Sequence, residues 1–368
     1  MPLYPNLIIE ALRKVRYPGS GKDIVDEGMV ADDIRIEGDK VSFSLLFNRP
    51  NSPFTKSVVK AAETAILTYV GKDVKIQGNI AVKTKKIEHK ESPKLLPDIK
   101  NIIAVYSGKG GVGKSTVAAN LAVALARMGY KTGLLDADIY GPSIPKMFGI
   151  ENARPVAEHI DGRDLIIPEE IYGVKLLSIG FFVNKDDAVI WRGSMASNAI
   201  RQLLTDTQWG ELDYFIIDFP PGTSDIHLTL LQTIGITGAI IVSTPQEVAL
   251  ADARKGITLF IGNKVNVPIL GLVENMAWFT PAELPENRYY IFGKEGAKRL
   301  AEEMQAPLLG QIPVVQSICE SGDSGQPVAL QHDTEMEIAF RRLTENVVKQ
   351  VEWRNQHLPS TQKVEIRR

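Results

Sequence analysis

From Ile102 onward, short apolar runs alternate with longer, more polar stretches. The runs Ile102–Tyr106, Thr132–Asp136, Lys175–Ser178, Tyr214–Asp218, Gly238–Ser243 and Ile269–Glu274 have the length of buried strands. The stretches between them are long enough for helices, and Val117–Met128 reads as the first of these. This rhythm predicts an α/β class: a mostly parallel sheet with helices on both faces. Ligands of such sheets bind at the C-terminal ends of the strands. A final helix is predicted from Glu335 to Trp353, opened by a Thr334–Glu337 capping pattern. Phe340, Leu343, Val347 and Val351 fall on one stripe of it. Glu335, Glu337, Glu345 and Glu352 dilute the basic charge that a membrane-surface helix wants, so docking on the sheet is expected.

The pattern before Ile102 is different. Leu3–Val15 and Ser57–Tyr69 read as helices. Ile34–Ile36 and Val41–Phe47 read as a hairpin turning at Glu37-Gly38-Asp39, and Val74–Ile76 as a further strand. Residues 1–82 are therefore expected to form a small α+β domain, a size that can fold alone. Residues 83–100 hold six lysines with Pro93 and Pro97, which reads as a charged linker. No aromatic residue interleaves with those lysines, so a nucleic-acid surface is not indicated. Residues 101–355 are expected to be the main domain and 356–368 a polar, frayed tail.

Composition narrows the class. The chain of 368 residues is 44% hydrophobic and 23% charged, as expected of a globular protein with a sizeable core. Its net charge of −2 gives no global basic field to attract nucleic acid. Cys319 is the one cysteine, which excludes an internal disulfide and fits a reducing cytoplasm. No apolar stretch has transmembrane length, and Met1–Val15 lacks the order of a secretion signal.

The first strand runs into Ser107-Gly108-Lys109-Gly110-Gly111-Val112-Gly113-Lys114-Ser115-Thr116. Gly108, Gly113, Lys114 and Ser115 fill the phosphate-loop pattern G-x-x-x-x-G-K-[ST]. Strand, loop and helix follow in the order the chemistry needs. Backbone N–H groups of Gly108–Thr116 and a helix N-terminus converge on phosphates, and glycines let the chain come close. Lys114 is expected to reach the β- and γ-phosphates of ATP, and Ser115 to ligate Mg²⁺.

Other strand ends deliver carboxylates. Asp136-Ala137-Asp138 follows the second strand. Asp136 is expected to hold Mg²⁺ through water or to cap the strand end, and Asp138, further out, to orient the attacking water. Asp218 ends another buried strand and suits a second contact to Mg²⁺. It precedes the turn Phe219-Pro220-Pro221-Gly222, where the N–H of Gly222 can approach a γ-phosphate. Asn275 reads either as a contact to the adenine edge or as a buried structural amide. His227 gains no role from the sequence. Lys109 discriminates among phosphate loops, because a second ammonium beside Lys114 would be repelled in an empty pocket. It makes sense if it reaches across a two-fold interface to a second copy's phosphates.

Ser107–Thr116, Asp136–Pro145, Ile216–Asp225 and Glu274-Asn275-Met276 together resemble the Mrp family of P-loop ATPases, in the MinD/ParA-like group with a deviant Walker A motif. Asp23–Val30 resembles the small iron–sulfur-assembly domain often fused in front. The resemblance implies a cytoplasmic, weakly hydrolysing homodimer that closes across ATP and Mg²⁺ and carries iron–sulfur clusters to apo-proteins. It places the signature lysine at Lys109, the loop lysine at Lys114 and the switch aspartates at Asp138 and Asp218. One departure is large. Where the family has Cys-x-x-Cys after Glu-Asn-Met, this chain reads Ala277-Trp278-Phe279-Thr280-Pro281-Ala282-Glu283-Leu284-Pro285. Its Pro50-Asn51-Ser52-Pro53 likewise has serine where the front domain usually has cysteine. A cluster takes about four thiolates, and two chains of this protein supply only Cys319 twice. The expected function is therefore an ATPase of iron–sulfur cluster assembly or transfer without the usual cluster ligands. A nucleotide-switched scaffold is the alternative, and an ATPase acting on membrane or DNA is disfavoured by charge.

Overall fold

The computed structural model describes residues 3–18, 21–47, 54–84, 95–160, 162–182, 193–262, 265–281, 283–361 and 363. The chain divides into two compact units, 1–90 and 91–368.

In the first unit α1 (Pro5–Leu12) and α2 (Thr55–Tyr69) cover a sheet of β1 (Arg35–Glu37), β2 (Lys40–Phe47) and β3 (Ile80–Thr84). β1 and β2 form the expected hairpin, with Gly38 at φ +61° in its turn. β3 pairs with β2 in parallel. Ile8, Leu12, Val41, Phe43, Leu45, Val58 and Ile66 fill the core. Two expectations are corrected here. Leu3–Val15 is helical only over Pro5–Leu12. Val74–Ile76 is not a strand: Val74 and Ile76 are buried, but Lys75 makes a single bridge to Lys40. Alternating burial imitated a strand there without its ladder. The strand lies at Ile80–Thr84, and it takes Lys83 out of the expected linker; that side chain pairs with Asp33 at 2.8 Å. Residues 85–94 lie outside the described residues.

The second unit runs β4 (Ile99–Tyr106), α3 (Lys114–Arg127), β5 (Thr132–Asp136), α4 (Ile144–Met147), β6 (Ala157–Ile160), β7 (Arg163–Ile166), β8 (Glu169–Ile171), β9 (Val174–Ser178), α5 (Gly193–Thr205), β10 (Leu212–Asp218), α6 (Asp225–Thr233), β11 (Gly238–Ser243), α7 (Glu247–Ile261), β12 (Ile269–Phe279), α8 (Gly296–Glu303), β13 (Leu308–Val314), α9 (Gln316–Ser324) and α10 (Glu335–His357). The sheet order is β13-β12-β11-β4-β10-β5-β9-β8. Every pairing in it is parallel except β8 with β9. All six predicted strands are present.

The connections reverse direction at β4. From β4 the chain crosses over β10 to β5, and from β10 it crosses back over β4 to β11. Right-handed crossovers then put α3 on one face, and α5, α6, α7 and α8 on the other. The reversal opens a crevice at the C-terminal ends of β4, β5 and β10, where a ligand of a doubly wound sheet binds. α10 packs against α3, β12 and β13, and Phe340, Leu343, Val347 and Val351 are buried as predicted. The Thr334 hydroxyl accepts the Glu337 N–H at 3.2 Å. The helix continues past Trp353. Arg354 is buried, and its Nη2 donates to the Pro359 carbonyl and the Thr361 hydroxyl, so the start of the tail is tied down rather than frayed. Among the described residues, no helix is long and apolar enough to cross a membrane.

β13 escaped the sequence pattern because Pro313 and Gly310 interrupt its apolar run. It is an edge strand, where a missing N–H is tolerated.

Tyr106, the last residue of β4, is 1% exposed and packs edge-on against Phe260 of α7 and His227. α7 approaches closely because Gly256 has no side chain; a Cβ there would fall 2.0 Å from the Tyr106 ring. Gly256→Ala is expected to destabilise the protein by about 1–3 kcal/mol through overpacking. A thermal melt reads this directly, and an unchanged midpoint would show that helix and ring separate at no cost.

Candidate nucleotide site

The loop after β4 is shaped by what its glycines leave room for. A Cβ on Gly108 would lie 2.2 Å from the backbone of Asp252, so α7 packs directly on the start of the loop. Backbone cannot give way there as a side-chain tip could. Gly111 and Gly113 adopt φ of +80° and +82°, which costs an L side chain about 1–2 kcal/mol. Gly113 is the residue before α3, and the N–H groups of that helix's first turn have no acceptor inside the helix. They face the crevice with the positive end of the helix dipole. Gly110 has open space around it.

Lys114 begins α3 and is 6% exposed. Its Nζ lies 2.5 Å from Asp218 Oδ1, 3.2 Å from Ser115 Oγ and 4.0 Å from Asp138 Oδ2. Asp218 and Asp136 are register partners at the ends of β10 and β5. Three of the predicted carboxylates, the loop lysine and the loop serine therefore converge. Thr116 follows on the first turn of α3, half-buried.

The carboxylates are held differently. Asp136 is fully buried and accepts from the Asp138 N–H (3.1 Å), the Ile144 N–H (3.3 Å) and the Ser178 hydroxyl (3.0 Å). Both its oxygens thus fasten the loop that follows β5. Burial, and then the charge of Asp218, push its carboxyl up to about 7. Asp138 is also raised, by burial first, although Lys114 pulls it back. Asp218 keeps one oxygen, Oδ2, that is buried and has no protein partner. A buried carboxylate oxygen without a donor, beside a serine hydroxyl, is a donor set that fits Mg²⁺. Ser115 and Asp218 would hold it there, with Asp136 behind them.

Asn275 lies beneath the loop, 7% exposed, and its Nδ2 donates to the Val112 carbonyl at 2.8 Å. A Cβ on Gly113 would collide with that nitrogen at 2.1 Å. Lys109 is half-buried and has no ion-pair partner among the described residues; its carbonyl accepts from the Ser107 hydroxyl. The N–H of Gly222, expected to face a γ-phosphate, donates to the Ser107 carbonyl at 3.0 Å.

Two residues that the sequence left without a role belong to the site's support. Ser178 holds Asp136. His227 is 1% exposed, with Nδ1 on the Ser224 N–H and Nε2 on the Pro220 carbonyl, each at 3.0 Å. The spacing Ser224-x-x-His227 is that of a capping box with imidazole in the place of glutamate or glutamine, which is the signal that could have found it.

The cysteine-free stretch carries a single antiparallel bridge and a cation–π contact. β12 runs on to Phe279, whose N–H and carbonyl exchange 2.8 Å bonds with Tyr289. The Arg288 guanidinium sits 4.3 Å over the Trp278 ring. Ala282 and residues 50–53 lie outside the described residues. Cys319 is exposed on α9, its Sγ 3.7 Å from Asp323. Among the described residues, no group of three or more His, Cys, Asp or Glu is placed to hold a metal.

A glycine-lined loop between a central strand and a helix, with lysine, serine and aspartate converging at the switch point, defines a P-loop nucleotide-binding protein. Residues 98–348 match the model of the NUBPL iron-transfer P-loop NTPases, and residues 6–77 match that of iron–sulfur cluster assembly proteins. The chain belongs to the NUBPL iron-transfer P-loop NTPase family. It is 40% identical to an iron–sulfur cluster carrier protein of Synechocystis over 95% of this chain and 97% of that one. It is similar to a nucleotide-binding protein of Archaeoglobus fulgidus in complex with ADP, at 40% identity and a TM-score of 0.56, covering 65% of this chain and 91% of that one. It also resembles the septum site-determining protein MinD of Pyrococcus horikoshii complexed with Mg-ADP, at 25% identity and a TM-score of 0.50, covering 69% and 98%.

Burial draws the His227 imidazole down to about 4, from 6.5 when exposed. Between those values the unfolded chain takes up a proton that the folded chain refuses. This contribution is therefore fully present above pH 6.5 and lost as pH falls. Going from pH 7 to 5 is expected to cost about 2 kcal/mol from this residue alone. His227→Gln should show a correspondingly shallower loss in denaturant titrations at the two pH values; equal slopes would show that the imidazole is protonated in the fold.

Proposed function

We propose that this protein hydrolyses ATP to ADP and phosphate and serves iron–sulfur cluster assembly as a homodimer closed across the nucleotide. The convergence of Lys114, Ser115, Asp138 and Asp218 under a phosphate loop carries the proposal. The loop amides of Gly108–Thr116 and Lys114 bind the phosphates. Asn275 keeps its Oδ1 for the adenine edge. Mg²⁺ held by Ser115 and, through water, by Asp218 and Asp136 would draw charge from the phosphoryl oxygens. Asp138 orients the attacking water, and its raised pKa makes it a better proton acceptor. Lys109, unpaired among the described residues, reaches the γ-phosphate of a second copy and supplies the charge of an arginine finger. The small front unit, residues 1–82, and apo iron–sulfur client proteins belong to the same task.

Lys114→Ala is expected to abolish tight ATP binding. Lys109→Ala should keep binding but lose turnover by at least about a hundredfold, together with ATP-dependent dimerisation. Fluorescent-nucleotide titration, phosphate release and light scattering read the three effects. Full turnover by a monomeric Lys109→Ala chain would count against action across an interface.

A second reading is favoured by one observation: Cys319 is the single thiol, and the stretch where the resemblance puts two more has none. In that reading ATP-driven dimerisation controls partner binding without cluster cargo. Anaerobic purification with iron and sulfide quantitation, with and without ATP, separates the two. A stoichiometric, transferable cluster supports carriage through other ligands, and its absence supports the scaffold.

A further inference from the structure

The segment from Asp218 to α6 carries the aspartate that pairs Lys114, and it is fastened at several points. The Phe219 N–H donates to the Val105 carbonyl, and the Gly222 N–H to the Ser107 carbonyl, each at 3.0 Å. α6 adds a further tie through the side chain of its third residue, His227. Nδ1 accepts from the Ser224 backbone N–H, which leaves the proton on Nε2, and Nε2–H donates to the Pro220 carbonyl. The neutral Nε2–H tautomer is the form that satisfies both bonds. The ring also packs against Tyr106 at 5.5 Å and Phe219 at 5.7 Å between centroids, the first being the residue before the phosphate loop. One imidazole thus links the turn after Asp218, the N-terminus of α6 and the end of β4.

We propose that His227 is a positioning residue for nucleotide hydrolysis: it latches Phe219–Ser224 in the geometry that places Gly222 beside the phosphate loop and Asp218 beside Lys114. The inference rests on the ATPase reading above. The latch acts on the loop, not on the phosphates, so its loss falls on turnover rather than on nucleotide affinity. A histidine that merely fills space would behave differently, because a buried apolar side chain of similar size would replace it well. Leucine fills the volume but leaves the Ser224 N–H and the Pro220 carbonyl unpaired. Glutamine offers one acceptor and one donor on a side chain that can present both.

The test compares wild type, His227→Leu and His227→Gln in the full-length protein, with thermal melts confirming that each is folded at the assay temperature. His227→Leu is expected to lose about tenfold or more in kcat, while KM and the Kd for ADP move by less than about threefold. His227→Gln is expected to recover to within about threefold of wild type. Leucine as fast as wild type, or glutamine no better than leucine, overturns the latch. A wild-type chain that binds nucleotide and hydrolyses none overturns the ATPase reading and the latch with it, which distinguishes that failure from failure of the latch alone.

Discussion

The second unit is organised around a buried lysine that has more carboxylates near it than it can neutralise. Lys114 pairs with Asp218 at 2.5 Å, with Asp138 at the limit of contact and Asp136 beside Asp218 on the next strand. Such a pair does not by itself stabilise a fold, since desolvation offsets its attraction, but removing one partner typically costs about 3–5 kcal/mol. Burial first, and the charge of Asp218 after it, make Asp136 and Asp138 hold protons more tightly than usual. A phosphate that draws Lys114 toward itself uncovers Asp218, one of whose oxygens already lacks a partner. The site is thus poised for an anion that brings its own cation, which is the form in which ATP circulates with Mg²⁺.

That arrangement holds only because the surrounding backbones come unusually near. α7 lies on Gly108, Asn275 lies under Gly113, and Tyr106 lies on Gly256. In each case the missing Cβ is a condition of contact rather than a matter of flexibility. α7 makes two of these contacts, one on the loop at Gly108 and one on Tyr106 just before it, and β12 makes the third under Gly113, so the loop, with its amides, is braced from two elements. Preorganised donors of this kind are worth more than donors that must reorient when charge develops.

The strands, the phosphate loop and the carboxylates at the strand ends were legible because each is local: an apolar run ends and a functional residue follows. What could not be read depended on partners distant in sequence. Pro313 argues against a strand until β13 is known to be an edge. Val74 and Ile76 alternate like strand residues but serve a turn packed on the small core. Asn275 left two readings open, and its bond to Val112, more than 160 residues away, supports the structural one. His227 looked like an isolated histidine because Pro220 and Tyr106 meet it only in the fold.

The nucleotide site and the missing thiolates are physically separate matters. Among the described residues, none of the contacts that hold the loop, the lysine or the three aspartates uses a residue of the stretch that follows Met276. That stretch closes on itself through the Phe279–Tyr289 backbone pair and the Arg288–Trp278 stack, an interaction of about 0.5–2 kcal/mol. A segment folded around a bound metal falls apart without it, because binding energy is its folding energy. Here a backbone bridge and a cation–π contact tie the stretch together, while the strand that leads into it props up the phosphate loop. The described contacts of the nucleotide site are thus built independently of a stretch that carries no cysteine.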